Sequence, residues 1–381
     1  MKTDRVRLKE IALLFLRLGS TAFGGPAAHI AMMEGEVVRK RSWMDHQHFL
    51  DLIGATNLIP GPNSSEMAMH CGHERGGWRG LIIAGLSFIL PAVLITMVFA
   101  WLYESYGTLP AVEPFIFGIK PAVIGIILFA LYGLGKKALK TIRLWIMGIV
   151  TLAVTFIGVG EIAALFACGF TGVVLYMIDK QVKSKGGDRL NSFSPLIFFP
   201  LTAGVGASAL SLIKIFGIFL KIGALLYGSG YVLFAFLDSE LVTAGFLTRE
   251  QLIDAVAVGQ FTPGPVLTTA TFIGWQLYGF WGAVVATAGI FLPSFLLVLL
   301  VNPLIPKLRK SKVMSAFMDA VNVGSVAVIA SVLINMGIDS VTCWRGTTIL
   351  ILSIVISFLF KKINSAYIVI GGSLIGYLLL S

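Results

Sequence analysis

Charge is scarce in this chain: only 13% of its 381 residues are Asp, Glu, Lys or Arg, about half the share usual in a soluble domain. That excludes a water-soluble globule and leaves a membrane protein. Cysteine is scarcer still, and Cys71, Cys168 and Cys343 stand far apart with no Cys-x-x-Cys spacing, which excludes a disulfide framework and a zinc knuckle. Acidic residues are outnumbered, 19 to 29, for a net charge of +10. In a soluble protein that excess would suggest nucleic acid; here the basic residues cluster in short loops beside apolar segments, as in a membrane protein with positive loops inside. Enzyme signatures are missing: there is no Gly-x-Ser-x-Gly elbow, P-loop or His-Glu-x-x-His. No enzyme and no nucleotide-driven pump is expected. All five histidines fall between 29 and 73, but no carboxylate or cysteine spacing completes a metal site, so no metal and no cofactor is expected. The basic N-terminus precedes an apolar stretch that lacks a small-residue cleavage site and does not read as a removable signal.

Apolar residues make up 57% of the chain and mean hydropathy is +0.90. Runs near or above the roughly 20 residues that cross a bilayer recur along the whole length. The expected class is an all-α polytopic membrane protein of the cytoplasmic (inner) membrane.

One long repeat organises it. Phe15-Leu16-Arg17-Leu18-Gly19 is echoed by Phe219-Leu220-Lys221-Ile222-Gly223, and Phe23-Gly24-Gly25-Pro26 by Tyr227-Gly228-Ser229-Gly230, at a shift of 204. Asp51 meets Asp254, Asn57 meets Gln260 and Pro60-Gly61-Pro62 meets Pro263-Gly264-Pro265 at 203, while Pro91 meets Pro293 and Lys120 meets Asn322 at 202. The basic loops at Lys136–Arg143, Lys180–Arg189, Lys307–Lys312 and Lys361–Lys362 belong inside. They follow the second and fourth segments after the first Pro-Gly-Pro but the first and third after its copy. The copies therefore have opposite orientation. Residues 1–180 form the first repeat, 181–211 a linker and an extra inverting span, and 212–381 the second, inverted repeat.

A full crossing at 11–32 would strand Arg39, Lys40 and Arg41 outside, whereas a hairpin turning at Gly24-Gly25-Pro26 keeps them inside. The same logic gives a hairpin over 48–70 turning at Pro60-Gly61-Pro62. Nine full spans plus four re-entrant hairpins and thirteen ordinary segments are both compatible with the pattern.

Breaks inside apolar segments are the candidate site. Pro-Gly-Pro cannot continue a helix, and irregular backbone at membrane depth must be buried in protein or line a cavity. A helix restarting after it offers free N–H groups and a positive dipole end to an anion. Asn57, Asn63, Ser64 and Ser65 flank the first break, and Gln260, Thr262, Thr268 and Thr269 the second; they donate hydrogen bonds without fixed charge. Helix-to-helix hydrogen bonding is the bland use of such residues. Arg17, Lys221 and Lys120 are intramembrane cations that would raise positive potential along a path, with snorkelling the competing explanation for the first two. Glu66, His70, Asp51 and Asp254 are candidates for carrying a coupling proton, with solvated helix ends as the alternative.

The block from Phe15 to Pro26, the stretch from Trp43 to Pro62, the copy from Gly223 to Pro265 and Gly118-Ile119-Lys120-Pro121-Ala122 resemble the chromate ion transporter family over nearly the whole chain. The resemblance implies an inverted-repeat carrier exporting chromate across the cytoplasmic membrane, powered by the membrane potential or proton gradient. Its motif positions here are Arg17, Gly24, Gly25, Pro26, Pro60, Gly61, Pro62, Lys120, Gly228, Pro263, Gly264 and Pro265. Ser229 marks a departure, because Tyr-Gly-Ser-Gly replaces Phe-Gly-Gly-Pro. Sulfate shares chromate's shape and charge, so a carrier of sulfate or another small anion is the alternative reading, and an intramembrane enzyme acting on a phosphorylated lipid with Glu66 and His70 a remoter one. The expected partners are a small inorganic oxyanion and the bilayer, not nucleic acid; a homodimer is compatible with the sequence.

Overall fold

The computed structural model describes residues 2–22, 25–107, 109, 112–184, 210–227, 230–301, 311–341, 343–360 and 363–380. Gly24, Gly228 and Ser229 lie outside the described residues, as do positions 194–209 of the expected inverting span. Among the described residues there are fourteen α-helices and no strand, which bears out the all-α expectation.

The first half contains α1 (Lys2–Thr21), α2 (Gly25–Glu34), α3 (His46–Thr56), α4 (Asn63–Tyr106), α5 (Glu113–Ala138), α6 (Ile142–Phe156) and α7 (Glu161–Ser184). The second contains α8 (Leu212–Leu225), α9 (Val232–Leu237), α10 (Arg249–Phe261), α11 (Thr269–Val301), α12 (Lys312–Ser340), α13 (Trp344–Leu359) and α14 (Ser365–Leu380). Two π-helical turns, Gly35–Lys40 and Asp238–Val242, occupy corresponding places in the halves. Polar side chains start the short helices: Asp45 accepts from the His48 N–H at α3, and Thr248 with Gln251 closes a capping box at α10.

Glycine decides where the chain reverses. Inside α4 the dihedrals leave the helical region at Gly76 (φ −140°, ψ 18°) and Gly77 (φ 60°, ψ −154°); inside α11 they do so at Tyr278 (φ −154°, ψ 31°) and Gly279 (φ 59°, ψ −151°). Only glycine takes the positive φ of the second position without strain. Residues 72 and 80 would be about 12 Å apart in a straight helix, yet a methyl on either glycine would strike the other's carbonyl, and Gly274 and Gly282 meet in the same way. Each long helix is thus a hairpin, with arms 63–75 and 78–106 in α4 and 269–277 and 280–301 in α11. A hydroxyl pair, Thr271 and Thr287 at 2.8 Å, ties the arms of the second.

The chain also doubles back at the two proline-containing breaks of the first half. Arg17 meets Glu36 and His29 meets the Ala22 carbonyl, so α1 and α2 run antiparallel. Asn57 meets Asn63 at the Pro-Gly-Pro tip, while His48 Nε2 lies 3.2 Å from Glu74 at the base, so α3 and arm 63–75 are antiparallel too. Antiparallel arms of this kind fit the hairpin arrangement of 11–32 and 48–70, one of the two that the loop charges left open. At about 1.5 Å per residue, the 11 residues of α3 span roughly 16 Å, half of a bilayer core of about 30 Å. Arm 78–106 is long enough to cross it.

The halves are related by a two-fold axis. Gly85 of arm 78–106 sits against the Phe295 ring of arm 280–301, and Glu104 at the far end of the first meets Trp275 beside the start of the second. Corresponding helices therefore run antiparallel, which makes the repeats inverted. One hairpin turn presents Arg75, Trp78 and Arg79, the other Trp275, Tyr278, Phe280 and Trp281, the partition expected of a basic inner and an aromatic outer interface. The halves are interlaced in space: α5 packs on α13 and α14 through Gly118, Gly372 and Gly376, and α12 on α6 and α7 through Gly172 and Ala320. Small residues allow this close approach where lipid gives no hydrophobic drive between helices.

Ion pairs fix the first helix of each half. Glu36, buried in its π-turn, accepts from Arg17 at 2.6 Å, Lys40 at 2.7 Å and Arg41; at a shift of 204, Glu240 accepts from Lys221 at 2.7 Å. The Lys40 ammonium, helped by Arg41 and Arg17 and opposed by burial, pulls the Glu36 carboxyl down to about 2. Its stabilisation is therefore full above the usual carboxylate range and lost as pH falls from about 4.5 towards 2. Glu36→Gln is expected to cost about 1–3 kcal/mol near neutral pH, because charge-assisted bonds are lost to partly exposed cations. Glu240→Gln, with one half-exposed partner, is expected to cost less than about 1 kcal/mol. Thermal unfolding in detergent checks both, and the Glu36 deficit should vanish by about pH 2; equal costs would contradict the assignment.

Candidate functional site

The two Pro-Gly-Pro breaks are latched reciprocally. The Gly61 N–H donates to the Leu226 carbonyl at 2.8 Å, and the Gly264 N–H to the Ala22 carbonyl at 3.0 Å. Each break thus docks on the end of the first helix of the opposite half. Both glycines have positive φ, 142° and 95°, a conformation in which an L side chain is strained. Neither has room for one. A methyl at Gly61 would collide with the Glu66 carboxyl and the Ser294 hydroxyl, and one at Gly264 would stand 2.8 Å from Ala92 Cβ.

A cavity of about 400 Å³ opens beside this junction, on the side of the basic loops. Asn57, Pro62, Asn63 and Ser64 of the first break line it with Val266 and Leu267 after the second, Gly230 and Tyr231, and Asn322 and Ser325 of α12. Lys137, Lys140 and Asp319 stand on its wall, with Lys140 3.3 Å from Asp319. No side chain caps the start of α4 after Pro62, and its first residues, Asn63 and Ser64, line the cavity, which puts the positive end of the helix dipole at the cavity wall beside the Asn63 amide. Such a wall of amides, hydroxyls and ammonium groups suits an anion that must also be released.

The structure divides the sequence-derived candidates. Asn57, Pro62, Asn63 and Ser64 line the cavity; Pro60, Gly61, Pro263, Gly264 and Pro265 shape it. Gln260 is buried beside the second break. The Thr262, Thr268 and Thr269 hydroxyls are turned back onto their own helix carbonyls at Val258, Pro265 and Val266. Arg17 and Lys221 are held in the ion pairs with Glu36 and Glu240 and do not line the cavity. Lys120 lies elsewhere, 4.0 Å from Asp254 and 3.7 Å from Glu250, near a second, mostly apolar cavity of about 300 Å³. Glu66, His70 and Asp254 are buried rather than solvated at helix ends, and Asp51 is half-buried. Gly25 and Pro26 begin α2.

Sequence reading missed Tyr231, Ser325 and Asp319, and took Lys137 and Lys140 only as markers of a loop. Among the described residues no group of His, Cys, Asp and Glu could hold a metal ion.

Two inverted repeats meeting at opposed broken helices form the plan of many secondary transporters. The profile of the family described as Chromate transporter matches residues 9–173 and again 213–377, and the chain belongs to that family. It is 32% identical to the chromate transport protein of Cupriavidus metallidurans over 97% of this chain and 92% of that protein. It is also 32% identical to the probable chromate transport protein of Synechococcus elongatus, over 97% and 95%, and 29% identical to the chromate transport protein of Pseudomonas aeruginosa, over 96% and 90%. No solved structure matches the chain.

Proposed function

We propose that this protein is a secondary carrier that exports chromate across the cytoplasmic membrane by alternating access, with residues 1–180 and 212–381 as the two repeats. The observation that carries this reading is the reciprocal latch of the Pro-Gly-Pro breaks over a cavity that has Asn57, Asn63, Ser64 and Asn322 on its wall and opens towards the basic loops. The halves rock about that junction, and the anion binds among Asn57, Asn63, Ser64, Asn322 and the start of α4, with Lys137 and Lys140 raising its local concentration. The buried glycine turns keep the breaks rigid while α5 and α12 move with the opposite half. Amides and hydroxyls recognise a tetrahedral dianion by size and charge, which leaves sulfate as the competing cargo.

The test is uptake of radiolabelled chromate into everted membrane vesicles, with and without an imposed potential, and with sulfate as competitor. Potential-dependent accumulation that excess sulfate dents only weakly is expected. No accumulation by intact protein would overturn the chromate reading, and sulfate outcompeting chromate would transfer it to sulfate.

A further inference from the structure

One face of α12 runs the depth of the membrane inside the protein. From Asp319 through Asn322, Ser325, Ile329, Val332 and Met336, the residues on it recur every three or four positions, the spacing of one side of a helix. Asp339 ends the row, about 30 Å of helix rise from Asp319 and so roughly one bilayer core away. This face is turned away from lipid: Ile329, Val332 and Met336 are 3%, 2% and 1% exposed, whereas Ile334 and Ile338 on the opposite side are 45% and 68% exposed.

The row changes character along its length. Towards the basic loops, Asn322 and Ser325 line the cavity of about 400 Å³. Farther out, Ile329, Val332 and Met336 close with Ile127 of α5 and Phe234 of α9 around a cavity of only about 10 Å³, barely the room of one water molecule. Tyr231 lines both. Each end of the row carries an ion pair: Lys140 holds Asp319 at 3.3 Å on the inner side, and Arg249 of α10 holds Asp339 at 2.5 Å and the buried Asp238 at 3.0 Å on the outer side. The cavity of about 300 Å³ near Lys120 shares no lining residue with the inner one and does not continue it.

We propose that the anion's route to the outside follows this face of α12: from Asn322 past Tyr231, through the apolar layer at Ile329, Val332 and Met336, to Arg249. The layer is the outer gate. A hydrated dianion cannot enter a space of about 10 Å³ walled by hydrocarbon, so contact among these side chains seals the path without any charge, and the seal must part when the carrier faces outward. Tyr231 ties the layer to the second break, because its ring stands edge-on to Phe234 at 5.9 Å and its hydroxyl reaches the Gln260 side chain. Beyond the layer Arg249 receives the anion, as Lys140 does at the inner end, and in the empty carrier the aspartates at the two ends of α12 occupy these cations in its place.

The inference rests on the chromate-carrier reading, and the experiment separates the two. Exchange of labelled for unlabelled chromate is followed in right-side-out vesicles carrying Cys343→Ser, which removes the partly exposed native thiol and leaves the buried Cys71 and Cys168. Val332→Cys and Met336→Cys are each compared with themselves before and after a bulky, membrane-impermeant thiol reagent is added outside, so that folding is the same on both sides of the comparison. Modification should cut exchange at least about tenfold in both, by plugging the constriction, and less than about twofold in Ile334→Cys on the lipid-facing side. Arg249→Gln should raise the half-saturating chromate concentration on the outside about tenfold, the scale of one lost charged hydrogen bond, and leave that on the inside unchanged; a merely structural role would move both. Absence of exchange in the Cys343→Ser parent and in wild type would overturn the chromate reading itself. Exchange in the parent that Val332→Cys and Met336→Cys keep in full after modification, chromate-protected labelling at Ser373→Cys in the cavity near Lys120 instead, or an Arg249→Gln effect that is not confined to the outside would overturn the route.

Discussion

Gly61→Ala is expected to lower chromate transport per molecule on the order of a hundredfold, the scale on which an ångström of misplacement matters at a preorganised site. The substitution meets two obstacles at once. Its φ of 142° lies where only glycine is at ease, at a strain of about 1–3 kcal/mol. The added methyl also lands on the Glu66 carboxyl from the same hairpin and the Ser294 hydroxyl from the opposite half. Relief requires the break to withdraw, which pulls the Gly61 N–H from the Leu226 carbonyl. The repeat supplies an internal control. Gly264→Ala meets chiefly Ala92 Cβ, so the double change Gly264→Ala with Ala92→Gly removes the collision and leaves only strain at φ 95°. It should recover much of the activity that Gly264→Ala alone loses. Immunoblotting for membrane abundance beside the vesicle assay separates misassembly from slow transport. Gly61→Ala at normal abundance and full rate would show that the break does not govern the cargo path.

The sequence made the breaks legible because proline and glycine act locally: Pro-Gly-Pro stops a helix wherever it stands, and its duplication at a fixed shift marked both halves. Loop charge, by contrast, left hairpins and ordinary crossings at 11–32 and 48–70 both open. What it concealed were relations between the halves. Arg17 and Lys221 looked like path cations because nothing nearby in sequence neutralises them, yet Glu36 and Glu240 reach them across a hairpin; the matching shift of 204 was the available signal. Thr262 and Thr268 looked like ligand donors, but a hydroxyl near a helix has a competing acceptor one turn back. Tyr278-Gly279 was lost inside a long apolar run, since hydropathy does not register a reversal whose two arms are equally apolar, whereas Gly76-Gly77 stands among His73, Glu74, Arg75 and Arg79 and was visible as a charged loop. Lys137 and Lys140 were visible as charges and invisible as cavity wall, because only the interlacing of α5 with the second half brings them beside Asn63.

Asn63→Asp should separate stability from transport more sharply than any deletion in the cavity. Asn63 is the first residue of α4, after a proline that offers no side-chain cap. A carboxylate in the first turn of a helix is favourable by about 0.3–1 kcal/mol, and it is isosteric with the amide, so the hairpin should fold at least as well. The Asn57 amide can still bond to it: Asn63 Nδ2 now donates to Asn57 Oδ1 at 2.9 Å, and a flip of the Asn57 amide reverses the roles. For a dianion the same change is adverse twice over. It removes a donor, and it sets a negative charge where the anion and the helix dipole should meet. Two unit charges about 4 Å apart at an effective dielectric of about 20 repel by roughly 4 kcal/mol. Even with screening by the lysines, apparent affinity should fall by about ten- to a hundredfold. The expected result is an unchanged or slightly raised melting temperature in detergent with a KM for chromate at least about tenfold higher, partly recovered in acid as the new carboxyl protonates. An unchanged KM would move the anion away from the start of α4 and towards α12, where Asn322→Asp would then become the informative variant.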